Sequence, residues 1–160
     1  MKWNKCNKRL LFNSLESPRK LRFGASCLYV PLTKTICAKL YNRRQARNRT
    51  YDLQQHAAVY DLAPKVGEQF DVSLLFVDRL DEWCVSTHRM YGYLSQRARM
   101  TGRFISEDDE WYMRESLRDI GINHCDLHSS NVGYINGFMV CIDFDAYSCK
   151  KTSSFRRKAG

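Results

Sequence analysis

Apolar, aromatic and β-branched residues crowd two stretches early in the chain, Leu21–Val30 and Leu32–Tyr41, with Pro31 and Thr33-Lys34-Thr35 falling between them. Runs of this kind, broken by turn formers, predict strands joined by a turn. From Asn48 to Asp61 the rhythm changes: Tyr51, Leu53, Ala57, Ala58 and Leu62 recur close to the helical period and Pro64 follows, which predicts one helix. Val66–Phe76 and Trp83–Leu94 predict two or three more strands, with Asp78-Arg79-Leu80-Asp81-Glu82 as the turn between them. Ser106 stands before Glu107, Asp108, Asp109 and Glu110, a capping hydroxyl followed by acids that complement the positive end of a helix. That helix should run through Trp111, Met113, Leu117 and Ile120 and stop at Gly121. Val132–Tyr134 and Phe138–Ile142, separated by Asn136-Gly137, predict a tight hairpin. Residues 1–20 read as a polar, partly mobile arm and residues 146–160 as a polar tail. The order of strands, helix, strands, helix, loop and hairpin defines an α+β chain.

At 160 residues the chain can form one packed domain, or two small lobes sharing a cleft. No apolar run approaches the roughly 20 residues that cross a bilayer, and the start lacks the apolar core of a secretory signal. No membrane association and a cytoplasmic location are therefore expected. The seven cysteines are odd in number, scattered and never spaced C-x-x-C, which argues against a disulfide framework and against a zinc site. Net charge is +9, carried by three basic clusters: the first 22 residues, then Arg43, Arg44, Arg47 and Arg49, then Lys150, Lys151, Arg156, Arg157 and Lys158. Such a surface attracts phosphates, nucleic acid or acidic proteins. No nucleic-acid-binding motif accompanies the charge, so nucleic acid is the least favoured partner.

Candidate chemistry gathers in Asn123-His124-Cys125-Asp126-Leu127-His128-Ser129-Ser130-Asn131 and, past the hairpin, in Ile142-Asp143-Phe144-Asp145. Phosphoryl transfer requires magnesium held against the phosphates, a carboxylate near the incoming hydroxyl, and positive charge on the phosphate oxygens. One carboxylate and one amide oxygen suffice for magnesium, which keeps several of its waters. Asp126 and Asn131 share one loop, and a hairpin can fold Asp143 back beside them.

This pattern resembles the catalytic loop H-R-D-x-x-x-x-N and the D-F-G segment of protein kinases. His-x-Asp-Leu-His-x-x-Asn is closer still to the variant in small-molecule kinases and compact kinase-like proteins. The resemblance implies Asp126 as catalytic base, Asn131 and Asp143 as metal ligands for Mg2+, and His124 as a brace for the loop. Upstream, Ile36-Cys37-Ala38-Lys39-Leu40 resembles the strand whose lysine reaches the ATP phosphates, here Lys39. Gly24, Ala25 and Ser26 would lie in the loop over the phosphates. Tyr93 and Leu94, in Met90–Ser95, would run into the hinge whose backbone meets adenine.

The chain departs from the family at three places. The helix offers Asp52, Gln54 and Gln55 where a glutamate usually pairs with the lysine, and Cys125 replaces the arginine before the catalytic aspartate. Only 15 residues follow Asp145. The implied architecture is thus a protein-kinase-like fold covering residues 21–147, between the basic arm and a Ser/Thr-containing tail at 148–160. A small β-rich N-lobe with one helix (21–95) would precede a minimal, truncated C-lobe (96–147). Such proportions are those expected of a virus-encoded protein acting in the host cytoplasm. The expected function is a minimal ATP- and Mg2+-dependent phosphotransferase acting on protein Ser/Thr or on itself. The alternative is a catalytically weak kinase-like module that binds and inhibits a partner protein through its basic surface. Oligomeric state is not legible in the sequence.

Overall fold

Side chains alternate across a strand, so each run of apolar residues at every second position lays one face against a core. Phe70, Val72 and Leu74 follow this rule, and the strands of the main sheet are Arg22–Phe23 (β1), Leu28–Pro31 (β2), Ile36–Tyr41 (β3), Val66–Val77 (β4) and Val85–Gln96 (β5). They form an antiparallel sheet in the order β1-β2-β3-β5-β4. The computed structural model describes residues 1–16, 22–23, 27–77, 85–100, 105–145, 149–152 and 155, without the side chains of 22–23, 75–77 and 85–86. Among these residues the chain is an α+β protein with three α-helices and two further pairs of strands. The turn expected at 78–82 lies outside the described residues.

One sheet face carries Leu28, Val30, Ala38, Leu40, Phe70, Val72, Leu74 and Leu94 into a first core. The helix Lys5–Leu15 (α1) covers it, where the sequence predicts a mobile arm. Asn4 caps that helix by accepting a 2.9 Å bond from Asn7 N, and Leu11 is wholly buried beneath it. Trp3 stacks on Phe70 with ring centroids 3.7 Å apart. Burying one such side chain is worth about 1.5–3 kcal/mol, enough to hold a segment whose basic residues, Lys5, Lys8 and Arg9, all point outward.

The helix Arg44–Ala58 (α2) lies across the other face and delivers Leu53 and Ala57 to a second core. There they meet Met113 and Leu117 of the helix Glu107–Asp119 (α3), with Ile122, Leu127, Val132, Cys141 and Phe144. Ser106 caps α3 by accepting from Asp109 N at 3.1 Å. Gly121 follows the helix with φ 85°, as expected of the residue that ends it. Ile122–His124 (β6) leads into the loop, and Val132–Ile135 (β7) pairs with Phe138–Cys141 (β8). Asn136 and Gly137 both take positive φ, 52° and 86°, the backbone of a two-residue hairpin turn. Within the expected polar tail, Cys149–Lys151 (β9) pairs with β6, setting Cys149 opposite His124. Among the described residues no helix is long and apolar enough to cross a membrane.

Gly92 of β5 shows how closely the first core is packed. A Cβ there would stand 2.5 Å from Phe70 Cζ and 2.7 Å from Leu40 Cδ2. Gly92→Ala is expected to cost about 1–3 kcal/mol, read as a lower urea midpoint; an unchanged midpoint would show that Phe70 and Leu40 have room to yield.

Candidate functional site

Lys39 sits on the sheet face that looks toward α2, in register with Tyr93 on β5. Its ammonium donates to Gln54 Oε1 at 2.9 Å and to Ile142 O at 2.6 Å. Of Asp52, Gln54 and Gln55, helical phase turns Gln54 inward, on the buried face with Thr50, Leu53 and Ala57. Gln54 is itself fully engaged. Its Oε1 also accepts from Tyr93 Oη at 2.8 Å, while Nε2 donates to Pro64 O at 2.9 Å and Ser95 Oγ at 2.8 Å. Burial works against the Lys39 charge, but Tyr93, Cys27, Cys37 and Asp143, each negative when ionised, work for it, and its pKa is raised. The direct hydrogen-bond partners of the ammonium are two neutral oxygens.

The loop after β6 is braced from below. His124, wholly buried, donates from Nε2 to Asp143 O at 2.9 Å, and the Cys141 thiol reaches the same carbonyl at 3.3 Å. Leu127 and Phe144 anchor the two segments in the second core. Asn131 Nδ2 donates to Asp126 O at 2.7 Å and approaches His128 Nε2 at 3.1 Å, and Ile142 N donates to Asn131 O at 2.9 Å. Asp143 Oδ1 accepts from Asp145 N at 3.1 Å. The Asp126 carboxylate stands out in solvent, its side chain 68% exposed, with Oδ2 3.7 Å from His128 Nε2.

Lys39, Asn131 and Asp143 all border one cleft of about 1240 Å3 between the sheet and the β7–β8 hairpin. Asp126 is joined to them through Asn131 and stands outside that lining. Gly24, Ala25 and Ser26 lie outside the described residues. The hinge expectation needs correction. Tyr93 and Leu94 lie inside β5, opposite Lys39 and Ala38, with both side chains buried. Pairing continues through Cys37↔Ser95, Val66↔Ser95 and Ile36↔Gln96, and Gln96 N donates to Lys65 O at 2.8 Å, so the strand runs on to Gln96. The segment that leaves the sheet beside the cleft is Arg97–Met100. There Arg97 N donates to Thr35 O at 2.8 Å, and Arg99 exchanges backbone bonds with Tyr134.

Among the described residues no three or more His, Cys, Asp or Glu side chains form a metal-binding group. Asn131 and Asp143, an amide and a carboxylate, both border the cleft, on segments joined by the bond from Ile142 N to Asn131 O. Sequence reasoning missed Ser95, Tyr93 Oη and Ile142 O as parts of the lysine's setting. The first two had a faint signal: with Lys39 on a strand, the residues at every second position of the pairing strand share its face.

Two outcomes test this geometry. Gln54→Glu supplies the missing carboxylate but removes the donor that Pro64 O and Ser95 Oγ require, and is expected to destabilise by about 1–3 kcal/mol in chemical denaturation; a gain in stability would contradict that arrangement. Burial lowers the His124 pKa below its ordinary 6.5 despite the Asp143 carbonyl, and its Nδ1 has no hydrogen-bond partner among the described residues. Below pH 6.5 the unfolded chain takes up a proton that the folded one refuses, so stability falls with pH until the folded ring also protonates. A His124→Asn variant is expected to lose that part of the melting-temperature slope.

Comparison with protein-family models, with curated proteins and with solved structures gives no match to this chain.

Proposed function

We propose that this chain is a minimal kinase-like phosphotransferase, binding ATP with Mg2+ in the cleft and passing the γ-phosphoryl group to a hydroxyl of a protein or of the chain itself. The observation that carries this reading is the 2.6 Å bond from Lys39 Nζ to Ile142 O, which brings a buried ammonium next to Asp143 on the wall of an open cleft. Buried charge is costly unless it has a partner, and this one borders a space large enough for a nucleotide. Lys39 holds phosphate oxygens in place. Asn131 and Asp143 are hard oxygen donors and suit Mg2+, an ion that keeps waters and binds phosphate oxygens alongside one or two protein groups. When bound, the metal offsets negative charge on the phosphates. Asp126, exposed beside the cleft and tethered through its carbonyl to Asn131, is positioned to accept the proton of an incoming hydroxyl. Arg97–Met100, rather than Tyr93 and Leu94, is the backbone available to a base.

The neutral character of Gln54 favours a second reading, a catalytically weak module that binds nucleotide while gripping a partner through its basic surface. It replaces an ion pair with a hydrogen bond, so the lysine's direct partners do not neutralise its charge.

Labelled ATP with Mg2+, added to the protein alone and to the protein with lysate, separates the two. Asp126→Ala and Asp143→Asn are each expected to cut label transfer about 100-fold or more, with Asp126→Ala keeping the thermal stabilisation by ATP and Lys39→Ala losing it. Stabilisation by ATP without transfer selects the binding module. No thermal response to ATP in the unmodified protein removes both readings.

A further inference from the structure

The outer face of α3 carries side chains that a folded chain usually hides. Trp111 and Tyr112 are each 64% exposed, while Met113 and Leu117 on the opposite side of the helix are buried in the second core. Helical spacing sets Asp108, Glu115 and Asp119 on the same outer stripe as the two rings. By the rise per residue of a helix, the stripe is about 16 Å long. Single exposed apolar residues are ordinary, whereas adjoining Trp and Tyr side chains are the kind that anchor protein contacts.

Two separate features identify what covers this stripe. The first is charge. The chain is +9 overall, yet α3 holds six acids against two arginines, and both arginines are held by Glu110 and Glu115 of the same helix. Glu107, Asp108, Asp109 and Asp119 have no ion pair among the described residues. The first-turn acids suit the positive start of the helix, but Asp119 stands at its negative end, where an acid is unfavourable. Helix stability therefore does not account for the outer stripe. The second feature is the open faces of the rings. Elsewhere the half-buried rings of Tyr91 and Phe155 lie beside this chain's own cations, Arg44 and Arg89 at 5.5 and 5.7 Å and Lys151 at 4.6 Å from the respective centroids. Among the described residues no cation or second ring lies against Trp111 or Tyr112. Open aromatic faces bordered by carboxylates draw a guanidinium or an ammonium.

We infer that the outer face of α3 docks an arginine- or lysine-rich segment of a partner protein, outside the cleft lining and independently of any phosphotransfer. Cationic side chains of that segment lie over Trp111 and Tyr112, and Asp108 and Asp119 meet its charges toward the two ends of the stripe. An extended segment of about five residues matches the stripe in length. Carboxylates repel phosphate, so neither nucleic acid nor an anionic membrane suits this face.

The test is a titration of the full chain with octa-arginine and with octa-glutamate at about 0.15 M salt, followed by NMR of the Trp111 indole N–H and the backbone amides of α3. Octa-arginine is expected to shift these signals with saturation, and octa-glutamate to leave them in place. Trp111→Ala/Tyr112→Ala and Asp108→Asn/Asp119→Asn, read on the amides, should each weaken binding about fivefold or more. The charge-matched control Glu16→Gln/Asp61→Asn should leave it unchanged. All of these side chains are exposed, so every variant is expected to melt as the parent does. The inference is overturned if the α3 signals do not move, if removing both rings leaves the affinity unchanged, or if the control pair weakens binding as much as the α3 pairs. It is overturned too if the free chain self-associates in sedimentation and the ring variant abolishes that association, because the occupant is then a second copy of this chain.

Discussion

A buried ammonium with only neutral direct partners is the constraint around which the molecule is arranged. Lys39 is drawn from the sheet toward α2 by Gln54 and toward the second core by Ile142 O. Each bond crosses between parts of the chain with separate hydrophobic cores, so the lysine is a joint as well as a ligand. Removing it would take the donor from the Ile142 carbonyl in a buried place, where an unmet polar group costs more than a made bond returns, while Gln54 Oε1 would keep its bond from Tyr93 Oη.

Gln54 is the unusual part of this joint. A carboxylate would match the charge better, yet it could not donate to Pro64 O and Ser95 Oγ. The amide trades electrostatic strength for connectivity: one side chain fastens β3, β5, α2 and the start of β4 together. Fully satisfied polar networks of this kind specify a single arrangement of their surroundings. The cost is a positive charge whose counterpart is not among its hydrogen-bond partners, and Asp143, near but not bonded to it, answers that charge only in part.

Local chemistry was legible in the sequence wherever one residue type carries the instruction. Ser106 before four acids located the start of α3, and Asn136-Gly137 located a turn with two positive φ angles. Lys39, Asn131 and Asp143 were singled out by the resemblance of their segments to kinase motifs, and they border one cleft. What the sequence hid was set by tertiary partners. The helix around Leu11 is masked by lysines and arginines that lie on its outer face. The three residues of β9 have no pattern of their own and become a strand only because β6 presents a free edge. Tyr93 and Leu94 were placed too near the end of β5, since the ladder partners that extend the strand to Gln96 come from β3 and the residues before β4. Choosing among Asp52, Gln54 and Gln55 required the helical phase, which depends on what α2 packs against.

The pairing of His124 with Cys149 has a consequence for the order in which the protein is made. The loop bearing Asp126 and Asn131 leaves the ribosome well before its flanking strand does, and Asp143, whose carbonyl locks His124, comes nearer to Cys149 than to the loop. The five-stranded sheet can therefore assemble while the loop is still unbraced, because everything it needs has already been synthesised. A nascent chain would carry a finished roof over an unfinished floor, and ligand contacts that need both would be the last to form.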